Sequence, residues 1–231
     1  MYKVARKLFE KNRGGMLEEL KRQVWEANLA LLKYHLVMLT FGNVSGIDRK
    51  KKLVVIKPSG KAYDELKPEQ MVIVDLKGKV VDGKLKPSMD TRTHLELYKA
   101  WPEICGICHT HSPYATAFAQ ACKSIPCLGT THADHFYGEI PVTRLLSRKE
   151  VEADYEKNTG KVIVETFGNQ KPGKMPAVLV ARHGPFTWGK DALDSVQNSL
   201  LLEEIAKMAY GTLQINPKTC TLLNYFLYKH Y

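Results

Sequence analysis

Helical and extended segments are interleaved in this sequence, with a hairpin among them, which predicts an α+β or layered α/β/α domain rather than a doubly wound nucleotide-binding sheet. Three observations carry that prediction. Apolar residues recur at helical spacing in segments such as Leu20, Val24, Ala27 and Leu31. Short β-branched runs such as Leu53-Val54-Val55-Ile56 lie between them, and Lys77-Gly78 joins two extended runs as a hairpin turn. No glycine-rich dinucleotide fingerprint or P-loop is present.

In chain order, an amphipathic helix is expected from Leu17 to about Lys33. Thr40-Phe41-Gly42-Asn43-Val44-Ser45 leads into the strand 53–56, which ends in Lys57-Pro58-Ser59-Gly60. Met71 to Leu76 and Lys79 to Val81 form the hairpin, and Thr91 to Trp101 a helix stopped by Pro102. Residues 104–110 read as a strand, followed by a helix from Pro113 to Ala121 with proline in its first turn. Ser147 and Glu150 make a capping box that opens a helix through about Glu156, with a second helical stretch over 161–167. Ala177 to Ala181 is a strand that Gly184 and Pro185 stop, and Lys190 to Tyr210 a periodic helix with Gly211 past its end. Without a linker, repeat or low-complexity segment, residues 1–231 are expected to form one domain. Residues 1–15, closed by Arg13-Gly14-Gly15 before a second methionine, read as an extension to it: an extra helical turn or two, an added remnant, or an upstream start.

Composition narrows the function classes. Hydrophobic residues make up 44% of the 231, ample for a core, and no run approaches a membrane span or a secretory signal. Five cysteines, Cys105, Cys108, Cys122, Cys127 and Cys220, are an odd number in a chain too large to need stapling, which favours reduced thiols and a cytoplasmic setting. The formal charge of +10 invites nucleic acid, but Lys3, Arg6, Lys7, Lys11 and Arg13 against Glu10 contribute +4 of it locally. No basic stripe with interleaved aromatics follows, so no nucleic-acid partner is expected; a phosphorylated small substrate uses positive charge equally well.

The chemistry centres on Gly106-Ile107-Cys108-His109-Thr110-His111-Ser112. In a strand, His109 and His111 share a face, which is half of a metal site or simply a solvated His-X-His pair. His183, just past another strand, offers a third imidazole, and three histidines with an open position match catalytic zinc. Asp90 stands where a helix begins, as either an N-cap or a carboxylate facing the metal. The turns Gly42-Asn43 and Ser59-Gly60, the latter two residues after Lys57, could hold a phosphate or be ordinary turns. The loop from Thr130 to Gly138 is dense in titratable groups, with Asp134 as either an acid/base or a hydrogen-bonded structural residue. His132 and His135 beside it could be either, whereas His35, His94 and His230 lie on helical stretches and read as surface or packing residues.

Six segments add what spacing cannot: Leu-Thr-Phe-Gly-Asn-Val-Ser (39–45), Ile-Lys-Pro-Ser-Gly (56–60), Lys-Pro-Ser-Met-Asp-Thr (86–91), His-Thr-His-Ser (109–112), Gly-Thr-Thr-His-Ala-Asp (129–134) and His-Gly-Pro-Phe-Thr-Trp-Gly (183–189). In this order they resemble the class II aldolase/epimerase superfamily, and within it the L-ribulose-5-phosphate 4-epimerases, from about Met16 onward. The resemblance implies a three-layer α/β/α domain with a central, mainly antiparallel sheet, assembled as a cytoplasmic homotetramer with active sites between subunits. It implies zinc or another divalent ion on His109, His111 and His183, with Asp90 at the associated carboxylate position. Gly42, Asn43, Lys57, Ser59, Gly60 and Ser88 match the substrate and phosphate contacts, and His230 matches one made in a neighbouring subunit. Met89 stands where a second serine is common, so only its backbone N–H could contribute.

The implied reaction converts L-ribulose 5-phosphate to D-xylulose 5-phosphate, as in arabinose catabolism, by retro-aldol cleavage of the C3–C4 bond and re-addition to the opposite aldehyde face. The metal acts as Lewis acid towards the enediolate charge. Asp134 matches one acid/base group. Aspartate rather than glutamate at position 90, together with the Thr-His-Ala-Asp loop, favours epimerase over a fuculose- or rhamnulose-phosphate type aldolase. The family's second acid/base is a tyrosine beyond a Lys-His-Tyr sequence, which Lys229-His230-Tyr231 itself matches, so Tyr231 is not assigned that role. If that tyrosine is truly absent, impaired epimerisation with metal binding intact is expected. A non-catalytic, zinc-stabilised assembly or nucleic-acid-binding protein is the alternative of a different class.

Overall fold

A computed structural model describes residues 2–168 and 170–231, with side chains from Leu17 onward except Asn169. Residues 2–15, read as an extension ahead of a helix starting at Leu17, are the opening turns of that same helix, and their side chains lie outside the described residues. The chain opens with helix α1 (Tyr2–Lys33), then strands β1 (Asn43–Asp48), β2 (Leu53–Ile56), β3 (Val72–Asp75) and β4 (Val80–Asp82). Helix α2 (Thr91–Ala100), strand β5 (Gly106–His109) and helices α3 (Pro113–Gln120), α4 (Thr130–Ala133) and α5 (Arg148–Phe167) follow. Strands β6 (Ala177–Leu179) and β7 (Pro185–Gly189) precede helices α6 (Ala192–Ile215) and α7 (Asn224–His230).

The seven strands form one sheet in the order β4-β3-β2-β1-β5-β7-β6, and every neighbouring pair is antiparallel. Strict alternation then sends side chains to two faces. Val54, Val74, Ile107 and Trp188 belong to a core shared with Leu97, Tyr98, Ile163 and Phe167 of α2 and α5. Val44, Val55, Ile73 and Cys108 meet Val24, Ala27 and Leu31 of α1 and Ala192 and Val196 of α6. The result is helix, sheet, helix: the layered α/β/α reading holds. Trp188 anchors one face, its ring 4.8 Å from Trp101 and 5.1 Å from Phe167.

Several local expectations shift. Strand β1 does not stand out in the sequence, because Asn, Gly and Asp within Asn-Val-Ser-Gly-Ile-Asp have low strand propensity; pairing with β2 and β5 on both sides holds it extended. Gly184 does not end the sheet but lies in a hairpin, since Pro185 opens β7 at a strand's first position, where proline is tolerated. Gly211 sits inside α6, which continues to Ile215. The stretches before Glu156 and over 161–167 are one element, α5, interrupted only at Asp154. All five cysteines are free. Among the described residues no helix is long and apolar enough to cross a membrane.

Candidate active site

Strand β5 is central, and its C-terminal end carries the histidines. His109 is its last paired residue, opposite Asn43 of β1 and Phe186 of β7, and His111 lies two residues beyond. Their Nε2 atoms approach to 3.0 Å. His183, in the β6–β7 turn, completes the group, with ring centroids 4.7 Å from His109 and 5.1 Å from His111. One ligating atom of each histidine lies within 4.8 Å of those of the others. The turn can come this close because position 184 is glycine: a Cβ there would stand 2.9 Å from the Thr110 carbonyl oxygen.

The rings are oriented from behind. His109 donates Nδ1–H to the Pro185 carbonyl oxygen at 2.9 Å, which leaves its Nε2 lone pair for the cluster, and Phe186 stacks on the ring at 4.1 Å. Burial pushes His111 below its ordinary value, and burial, then the neighbouring His109, pushes His183 down to about 3. Neutral imidazoles are the form that binds a metal.

Asp90 occupies the N-cap of α2 without capping it. Its carboxylate instead accepts from Asn43 Nδ2 at 2.7 Å, so the N-cap reading is correct for position and not for the side chain. Asn43 Oδ1 is buried with no hydrogen-bond partner, an acceptor left for something bound beside it. Three imidazoles with ligating atoms within 4.8 Å of one another, beside a held carboxylate and an unsatisfied acceptor, fit a divalent cation and a polar ligand.

Those residues line a cavity of about 340 Å³ together with Gly42, Lys57, Ser59, Gly60, Ser88 and Met89. The turns after β2 and before α2 are stitched together, Ser59 N–H to the Lys86 carbonyl at 2.8 Å and Ser88 N–H to the Lys57 carbonyl at 3.0 Å. Gly42 adopts φ +75°, and a Cβ there would come within 2.7 Å of Val37 Cγ1 and 2.9 Å of the His109 carbonyl oxygen. Lys57 is buried, its Nζ 3.2 Å from the Thr40 carbonyl oxygen and 4.6 Å from the Tyr63 ring centre. Burial lowers its ammonium to about 8. Tyr63 also holds the 41–42 loop, donating to the Phe41 and Gly42 carbonyls at 2.9 and 3.0 Å.

Asp134 and His230 are not among the residues lining that cavity. They are exposed and paired with each other, His230 Nδ1 to Asp134 Oδ1 at 3.0 Å, where α4 meets α7. His132 is buried and bonds the Gly138 carbonyl oxygen at 2.7 Å, a structural role. His94, expected on the surface or in packing, is fully buried and bonded to Ser45 at 2.7 Å. Tyr63 and Tyr155, the latter 3.2 Å from His183, carry no local sequence pattern that singles them out.

An antiparallel seven-stranded sheet between helical layers, with three histidines lining one cavity, matches the class II aldolase fold. Residues 22–210 match the family "Class II Aldolase and Adducin N-terminal domain", and the chain belongs to it. It is similar to a solved L-fuculose 1-phosphate aldolase, 25% identical with TM-score 0.77 over 92% of this chain and 94% of that one. An L-fuculose 1-phosphate aldolase from Glaciozyma antarctica PI12 shares the fold at 20% identity and TM-score 0.75, over 92% of this chain and 80% of that one. So does a sugar-phosphate aldolase from Thermotoga maritima, at 20% identity and TM-score 0.64, over 86% and 96% respectively.

Proposed function

We propose that the chain is a divalent-cation-dependent L-ribulose-5-phosphate 4-epimerase. The observation that carries this reading is one cavity holding both the three-histidine cluster with Asp90 and the Lys57, Ser59, Gly60, Ser88 turn pair. A cation site and an anion cradle lining one cavity suit the two ends of a phosphorylated ketose. His109, His111 and His183, with Asp90, would hold zinc or another divalent ion, which when bound supplies Lewis acidity to a ketose's adjacent oxygens.

The chain's own residues do the rest. Lys57 and the stitched turns bind the phosphate, with Met89 offering only its backbone N–H. That anchor keeps the aldehyde fragment in place while its carbonyl turns over. Asn43 holds the Asp90 carboxylate and presents an unsatisfied oxygen to a sugar hydroxyl. Asp134, held by His230, takes or gives the proton of the C4 hydroxyl on one face of the aldehyde. Since that pair stands apart from the cavity of its own chain, we infer that a second copy supplies it, in a homotetramer built around shared sites.

The second reading is a phosphoketose aldolase, favoured by the likeness to L-fuculose 1-phosphate aldolase. The two separate by product. L-ribulose 5-phosphate should give D-xylulose 5-phosphate; release of free glycolaldehyde phosphate and dihydroxyacetone instead decides for the aldolase.

A further inference from the structure

We propose that Tyr155 is a positioning residue for His183, its hydroxyl oxygen accepting the ring's Nδ1–H so that Nε2 is presented to the cation. The proposal rests on the metal-centred reading above. Tyr155 Oη lies 3.2 Å from His183 Nδ1, and the two rings are 5.8 Å apart. A neutral imidazole carries one proton, so the nitrogen facing a cation must be the bare one. His109 meets that demand through the Pro185 carbonyl, which can only accept. At His183, which sits in a turn, the tyrosine oxygen stands in the carbonyl's place and takes the same role.

The backbone brings Tyr155 there for a definable reason. Asp154, at φ −168° and ψ 86°, interrupts α5, and its Oδ1 accepts from the Lys157 N–H at 3.2 Å. Asp154 is thus the N-cap of the second half of α5, and Tyr155 is the first residue after it. The cap is pegged to α2 by Arg92 on Asp154 Oδ2 at 2.9 Å and by Thr93 donating to the Glu156 carbonyl at 2.6 Å. Since α2 also carries Asp90 at its own N-cap, one packed helix pair sets the carboxylate and the tyrosine together.

Tyr155→Phe removes only the hydroxyl. Cobalt(II) and zinc affinities, measured by chelator competition on the full chain, should weaken on the order of tenfold, with a changed visible spectrum for the cobalt form and an unchanged thermal midpoint of the metal-free protein. In the His183→Ala background the same substitution should weaken affinity no further. Unchanged affinity and spectrum in Tyr155→Phe would overturn the proposal, as would an equal additional loss in the His183→Ala background. Failure of the unsubstituted chain to bind either cation would remove the metal-centred reading and this proposal with it.

Discussion

Asn43 Nδ2 donates to Asp90 Oδ2 across 2.7 Å, tying the first residue of β1 to the N-cap of α2. The bond spans 47 positions of sequence and fixes the carboxylate that lines the cavity beside the histidine cluster. Hydrogen bonds to charged groups contribute about 1.5–3 kcal/mol, and here the bond also sets direction. Asn43→Ala should therefore weaken zinc affinity by about tenfold, as loss of an orienting partner to a ligand does. Titration with zinc against a competing chelator checks this; equal affinities for the two proteins would assign the bond to stability alone.

Lys57 gives the site a pH limb. Its ammonium is lowered to about 8 by burial, so the free protein carries the charge below that pH and loses it as pH rises through about 8. Phosphate attraction follows the charged form. The kcat/KM for L-ribulose 5-phosphate should fall across this range, since kcat/KM reports groups of the free enzyme. Lys57→Met should lower kcat/KM and flatten that limb. A profile that still falls near pH 8 in the variant would assign the limb to another group.

The Asp134–His230 pair leads to a mixing experiment. If a second copy supplies it, His109→Asn and Asp134→Asn chains are each inactive for different halves of one site. Co-expressed and purified through two different tags, they should regain about a quarter of the full activity, as random pairing around a shared site dictates. Mixed oligomers as inactive as either parent would place both halves in one chain.

Parts of this molecule are legible in its sequence because they obey local rules. The His-X-His spacing brings His109 and His111 together, although β5 ends at His109 and His111 lies beyond the strand on which the sequence places both. The capping box pairs Ser147 with Glu150, where Ser147 Oγ accepts from the Glu150 N–H at 3.3 Å. Strand β1 is not legible in that way: Ser45 and Gly46 are strand residues only because Ile56, Val55, Ile107 and Gly106 lie across from them. Gly211 has the form of a stop signal, but glycine costs a helix only about 1 kcal/mol, and buried Leu202, Ile205 and Ala209 hold α6 through it. Tyr63 and Tyr155 act through space on Lys57 and His183, and no spacing in the sequence encodes that.

The most direct measurement follows D-xylulose 5-phosphate formation from L-ribulose 5-phosphate by the chain as isolated, after exhaustive chelation, and after stoichiometric zinc is returned. Turnover should vanish on chelation and return with zinc, without loss of the folded state in between. Turnover that survives chelation would contradict the cation-centred chemistry of His109, His111 and His183.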